Sequence, residues 1–564
     1  MARSRKITRA RPIRRIKRTP APRRATKVRR TNTRTATPRR KPVTARTAND
    51  RRRSQLARDR AKLTNRRRLA FLKRRAILRR RKAGLKPSRV ISDPRWPHGR
   101  PIYPGHWPRP PRVKHVHHYY GRKRHELLPR HDLQPYDNRP THLGSKSNRV
   151  SVRWARAQVT NASRHLSRLT DFKRTDYGRG LAQPKEANVQ AANALLSRER
   201  AKQLQRVRKL ADAGKQVEVN PSTQRLTSFA SLKDHVSRGT RKTEAIWHFY
   251  DNLFSQRLGP LADELAAMDR IALDCYQTCY MGLGRARSLP TPPPMAYMEP
   301  AAGPATYRRG VSVPKLSKLP NPYPLVRLPF HRLMNPWSLG AVPHEIGHNV
   351  HADLKLWTVT PTLIRRRLAT LGFPSQTQAI WSKWHKEIYA DLIGVLLLGP
   401  YYVESLLDVV GKSPARVARF KEGSVHPTSY VRPFISTALL RRIGFATLAA
   451  KYDAGWRGIY PASITRKLPP ALWKNFPKAA DGVVDVLCFK KMNAYGGKSL
   501  SQVVRFRPQD MVTIKEAAER LAKGTNPGIA PSRFFICAAR EALDRRLASP
   551  RDISKSFYTA LTGN

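Results

Sequence analysis

The chain has 564 residues, with 112 Lys and Arg against 36 Asp and Glu, a formal charge of +76. That length allows two or three domains and a sizeable core. The charge excludes an ordinary near-neutral enzyme surface; it attracts polyanions, chiefly nucleic acid, and more weakly anionic lipid.

Residues 1–150 hold 49 of the Lys and Arg and 6 of the Asp and Glu, so the excess is steepest there. Residues 1–49 contain no acid and little apolar surface to offset chain entropy, which predicts disorder in isolation. Asn49 or Asp50 can cap a helix over Arg51–Lys82, with Leu56, Leu63, Ala70 and Ile77 at heptad spacing and Gly84 as its stop. Residues 1–90 thus read as a basic tail and helix. From 91 to 144 the chain becomes rich in Pro, His and aromatics: Trp96, Trp107, Tyr119 and Tyr120 lie among cations, beside Lys114-His115-Val116-His117-His118. Aromatics can stack on bases while cations meet phosphates. An extended arm lying on the following domain explains the composition equally well.

No apolar segment marks a secretory signal, and no run of about eighteen apolar residues predicts a membrane span. The expected setting is cytoplasmic or nucleic-acid-associated. Cys275, Cys279, Cys488 and Cys537 are too few for a disulfide framework. Cys275 and Cys279, a turn apart, read as packing residues of a helix.

Helical patterns follow over Glu186–Ala213 and Thr243–Met281. Residues 287–329 are Pro-rich and irregular, a covering or a substrate loop. Within them Leu325, Val326 and Leu328, between Pro324 and Pro329, suit a short edge strand.

His344-Glu345-Ile346-Gly347-His348 is an H-E-x-x-H motif. On a helix the two imidazoles share a face and can bind one Zn²⁺, while Glu345 reaches a metal-bound water as general base. Downstream, Glu387 and Asp391 are again four apart, entering the apolar run Ile393–Leu398. A catalytic zinc takes three protein ligands and keeps one open position, so Glu387 is the expected third. Asp391 suits the other ring N–H of a ligand histidine. His351 is a rival ligand, but its seven-residue separation from His344 is about 10 Å of helix rise, so it reads as packing. The metzincin third ligand would fall at Leu354, which excludes that class.

H-E-x-x-H followed by E-x-x-x-D resembles the gluzincin zinc metallopeptidases. His426-Pro427-Thr428-Ser429-Tyr430-Val431-Arg432 further resembles the H-P-x-x-x-x-R element of M48-type peptidases. The resemblance covers roughly residues 335–435. It implies a zincin-like helical catalytic domain, and it implies that His426 and Arg432 polarise the substrate carbonyl and stabilise the oxyanion. Membrane-spanning helices of some members have no counterpart here, and Asn321-Pro322-Tyr323-Pro324 and Asn335-Pro336-Trp337 match nothing in the pattern.

After the motifs, Ser405–Phe420 and Phe434–Ala450 read as helices, Gly482–Cys488 as short strands, and Thr513–Lys523 and Arg533–Ala548 as closing helices. The expected architecture is mainly α, with α+β as the alternative. Residues 145–455 form the catalytic domain and 456–564 a C-terminal helical subdomain. Three functions compete: a zinc peptidase with a nucleic-acid-binding extension, a non-catalytic nucleic-acid-binding structural protein retaining a metallopeptidase fold, and a metal-dependent hydrolase of another bond.

Overall fold

The computed structural model describes residues 146–284, 287–301, 303–528 and 530–563. The expected basic helix over Arg51–Lys82 and the aromatic-rich arm lie outside them. The described residues are mainly helical. Helices of nine residues or more are α1 Lys146–Arg168, α2 Glu186–Val219, α3 Thr223–Ser255, α4 Ala262–Leu283, α5 Ala341–Asp353, α6 Val359–Thr370, α7 Ser375–Lys383 and α8 His385–Leu398. They continue with α9 Pro400–Val410, α10 Arg432–Arg442, α11 Ala446–Ile459, α12 Phe476–Val484, α13 Pro508–Ala522, α14 Phe534–Asp544 and α15 Pro550–Thr562. Among the described residues, no helix is long and apolar enough to cross a membrane.

Helices α1 to α3 form a bundle with its own core, in which Val152, Val159 and Leu166 of α1 meet Val207 and Leu210 of α2 and Phe229 of α3. The single helix expected over Thr243–Met281 is two. Gly259 adopts an extended backbone before Pro260, because the residue preceding proline is driven out of the helical region. This break lets α4 turn away from the bundle and join the main core.

The strands are β1 Met295–Met298, β2 Ala305–Tyr307, β3 Ser312–Val313, β4 Leu319–Pro320 and β5 Leu325–Leu328. The main sheet runs β1-β5-β2, with β5 parallel to β1 and antiparallel to β2. The expectation that Leu325–Leu328 is an edge strand is therefore corrected: it is central. Pro324 and Pro329 flank the paired residues, so every paired residue keeps its N–H. The outer side of β1 is closed by side chains rather than by a strand. Asp269 Oδ1 accepts from Ala296 N, Arg257 Nη2 donates to Ala296 O at 2.7 Å, and the Gln256 amide pairs with both backbone groups of Met298. On β2, no further strand lies along the outer side among the described residues.

The principal core runs from Leu265 to Leu561. It joins α4, α5 and α8 to the helices beyond 455 through Val483, Leu487, Ile514, Cys537 and Phe557. The C-terminal helices thus have no core separate from the rest. Gly482–Cys488, expected as strand, is helical: α12 runs into a π-helical turn over Asp485–Phe489. Burial of Val483, Val484, Val486 and Leu487 in the helical core overrides their strand propensity. All four cysteines are buried and unbridged, and burial pushes the Cys279 thiol up to about 12.

Candidate metal centre

Helices α5 and α8 cross in the middle of the core, and the small residues of α5 set how closely. An ideal Cβ on Gly347 would sit 2.8 Å from Ala390 Cα. Only glycine lets the two backbones approach that far, and the approach brings the H-E-x-x-H face of α5 onto Glu387 and Asp391 of α8. Hydrophobic burial along Ile346, Val350, Ile388, Leu392 and Ile393 holds the pair together.

His344, His348 and Glu387 converge so that their ligand atoms lie within 4.8 Å of one another, the one such cluster of metal-ligating groups found among the described residues. His344 Nε2 is 3.6 Å from Glu387 Oε2, and His348 Nε2 is 3.4 Å from Glu387 Oε1. Tetrahedral zinc with bonds of about 2.0–2.2 Å separates its ligand atoms by roughly 3.3–3.6 Å. The two nitrogen–oxygen separations, each to a different oxygen of Glu387, fall in that range, and a two-nitrogen, one-carboxylate set is of the kind zinc takes.

Asp391, 1 % exposed, supports this set from behind. Its Oδ1 is 2.9 Å from His344 Nδ1 and accepts from Tyr402 Oη at 2.6 Å. Arg432 adds Nε at 2.8 Å and Nη2 at 2.7 Å. Burial disfavours the carboxylate's charge, but Arg432 and His344 outweigh it and hold the group below the usual carboxylate range. With Nδ1 facing Asp391, His344 turns Nε2 toward Glu387 and His348; in the neutral ring with its proton on Nδ1, Nε2 would carry the lone pair that a metal takes.

The ionisable groups of the cluster shift one another strongly. Burial opposes a charged His344, yet hydrogen bonds to Asp391 and Glu387 push it up to about 10. Burial and the neighbouring His344 push His348 down to about 3. Burial also works against the Glu387 charge, but hydrogen bonds from His344 and His426 hold the carboxyl far below its ordinary value. Glu345 is 5 % exposed, and burial pushes it up to about 7, where it can both take and return a proton near neutrality.

The remaining expected residues are placed as follows. His426 sits on the loop before α10 with Nδ1 3.1 Å from Glu387 Oε2, and its side chain is 68 % exposed. Arg432 contacts the donor set through Asp391, on which it spends two of its N–H-bearing nitrogens. His351 faces away, with Nε2 3.1 Å from Thr360 Oγ1, which in turn lies 2.7 Å from His385 Nδ1. Asn349 ties the motif helix to the sheet: its Nδ2 donates to Glu345 O at 2.8 Å and to Thr306 Oγ1 of β2 at 2.9 Å.

Tyr402 is absent from the sequence reading. The turn at Gly399, with φ of +59°, and Pro400 at the start of α9 fold that helix back along α8. The ring then fits where Gly394 has no side chain; an ideal Cβ there would sit 2.1 Å from Tyr402 Cε2. A lone glycine inside the apolar run of α8 was the available signal. Neither a family model nor a curated protein nor a solved structure matches the chain.

Proposed function

We propose that the chain is a zinc-dependent peptidase of the M48-like gluzincin type, carrying a basic extension over residues 1–143 that binds nucleic acid. The observation that carries the peptidase reading is the spacing of His344 Nε2, His348 Nε2 and Glu387 around a common point, with Glu345 buried on the same helix.

When bound, zinc supplies a Lewis acid and a water that ionises near neutral pH. Glu345 takes the proton of the attacking water and passes it to the leaving amine. His426, exposed beside Glu387, would donate to the developing oxyanion. Arg432 holds Asp391 ionised, and Asp391 orients His344. An extended peptide fits the outer side of β2, whose Thr306 is bonded to Asn349 one residue after His348. The charge of residues 1–143 supports nucleic-acid binding through phosphates, strong at low salt and indifferent to sequence.

The test is hydrolysis of an unstructured protein substrate by the purified full chain. Activity abolished by a chelator and restored by stoichiometric zinc supports the reading. Activity that persists in chelator, or its absence from zinc-loaded protein, removes it.

A further inference from the structure

Helix α1 has 23 residues, six of them Lys or Arg, and no Asp or Glu. Its inner face, with Val152, Ala155, Val159 and Leu166, is buried in the bundle core. The outer face carries Arg153, Arg164 and Arg168, all exposed, with exposed Ala157 and Asn161 between them. Eleven residues separate Arg153 from Arg164, so they lie about three turns and roughly 16 Å apart on one face; Arg168 follows one turn, about 6 Å, further on.

These three guanidinium groups have no hydrogen-bond or ion-pair partner among the described residues. Several acids of the bundle pair with other cations, and Glu244 lies 4.0 Å from His165 of α1. Glu199 is held by Lys202 and Lys242, each at 2.8 Å, Asp171 by Arg200 at 2.8 Å, and Glu218 by Arg156 at 2.9 Å. Arg164 and Arg168, four apart on one face, repel each other and weaken the helix unless an anion lies against them. Trp154, next to Arg153, is 38 % exposed and rests edge-on against Phe229 at 5.3 Å. Of the 112 Lys and Arg, 47 precede this helix, so it directly follows the most basic part of the sequence.

We infer that the outer face of α1, through Arg153, Arg164 and Arg168, is a second, folded phosphate-binding surface for nucleic acid. This rests on the reading that the basic extension binds nucleic acid, and adds that the bound strand continues onto the bundle. A lipid surface fits less well. A helix lying on a membrane inserts its apolar face, and the apolar face of α1 is already occupied by α2 and α3.

The experiment uses the full chain and a fluorescent DNA duplex of random sequence, titrated at several salt concentrations. Arg153→Gln, Arg164→Gln and Arg168→Gln are combined in one variant. A matched control combines Lys523→Gln, Arg551→Gln and Lys555→Gln, exposed positions on α13 and α15 or beside them. The α1 variant is expected to bind about tenfold or more weaker at physiological salt, with a log–log salt slope shallower by about 2–3, while the control stays within about twofold of wild type. Unchanged melting of the α1 variant shows that the bundle is intact. Equal binding and slope in the α1 variant and the control overturn the inference and leave the extension's role standing. Failure of the wild-type chain to bind DNA or RNA at low salt overturns both. Loss of binding to phosphatidylserine vesicles but not to nucleic acid in the α1 variant overturns the inference in favour of a membrane surface.

Discussion

Asp391 Oδ1 lies 2.9 Å from His344 Nδ1, and Tyr402 Oη lies 3.2 Å from the same nitrogen; these contacts leave Nε2 as the nitrogen of His344 that faces Glu387. The carboxylate is buried yet ionised because Arg432 bonds it twice and Tyr402 once. A buried carboxylate lacking such partners would take up a proton and release the ring. The donor set is thus oriented by three residues that are not themselves donors.

That orientation is measurable. Tyr402→Phe removes one hydroxyl from Asp391 and nothing from the packing of the ring against Gly394. Asp391→Asn replaces the charge facing His344 and Arg432. Each substitution should weaken zinc binding by about 10–100-fold, Asp391→Asn the more strongly. Competition titration with a chromophoric chelator reads the constant directly. Wild-type affinity in both variants would mean that the contact does not position His344.

Glu345 lies beside the donors without joining them, so Glu345→Gln separates binding from chemistry. The variant should retain a wild-type metal complement and lose about 10²–10⁴-fold in kcat. His426→Ala should cost on the order of 100-fold as a lost oxyanion donor. Turnover by Glu345→Gln equal to wild type would remove Glu345 as the general base and, with it, the proposed peptidase chemistry.

Gly347 tests the approach of the two helices. Its missing side chain permits a backbone contact that an alanine Cβ would violate at 2.8 Å from Ala390 Cα. Gly347→Ala should destabilise the chain by about 1–3 kcal/mol through overpacking and weaken metal binding by moving α5 off α8. Denaturant melts and the chelator titration report the two effects. A variant as stable as wild type, with full affinity, would show that the crossing is not tightly set.

How much of this site the sequence revealed follows from the range of the interactions involved. His344, Glu345 and His348 are readable as a unit because helix periodicity is local. Glu387 and Asp391 are readable because two carboxylates entering an apolar helix call for a cation or a donor. Tyr402 is not, since its place depends on a turn at Gly399 and a vacancy at Gly394 that act only after α8 and α9 pack. The central position of β5 was missed for a similar reason: its neighbour β1 lies about thirty residues away, and side chains of Gln256, Arg257 and Asp269 close the outer side of β1. The helix over Gly482–Val484 and its π-turn differ from the strands that local β-branched composition suggests, because the deciding core contact is not displayed in the sequence. The break at Gly259-Pro260, by contrast, is local: the proline itself drives Gly259 out of the helical region.

Away from the metal donors, Glu404 supplies a pH test of the packing. Burial raises this carboxyl from an ordinary value of 4.5 to about 7, although Tyr452 donates to it at 2.5 Å and Arg540 lies 3.3 Å away; Asp544 and Glu541 add negative potential. Its folded-state value lies above its unfolded one, so the folded chain binds the extra proton between them. The stability from this group is fully present below about pH 4.5 and is lost as pH rises through about 7, on the order of 3 kcal/mol in all. Glu404→Gln cannot titrate. Relative to wild type, the variant should therefore gain stability between pH 5 and pH 8. A wild-type-to-variant difference in melting midpoint that does not change with pH would contradict the raised value.

His344, His348 and Glu387 together are proposed to hold one zinc ion. Elemental analysis of the purified full chain, beside a Glu387→Ala variant prepared identically, tests it most directly. The wild-type chain should carry about one zinc per chain, and the variant should lose most of it under the same dialysis, because only two nitrogen donors remain. Absence of zinc from the wild-type chain after exposure to the ion, or an equal zinc content in the Glu387→Ala variant, would contradict the account.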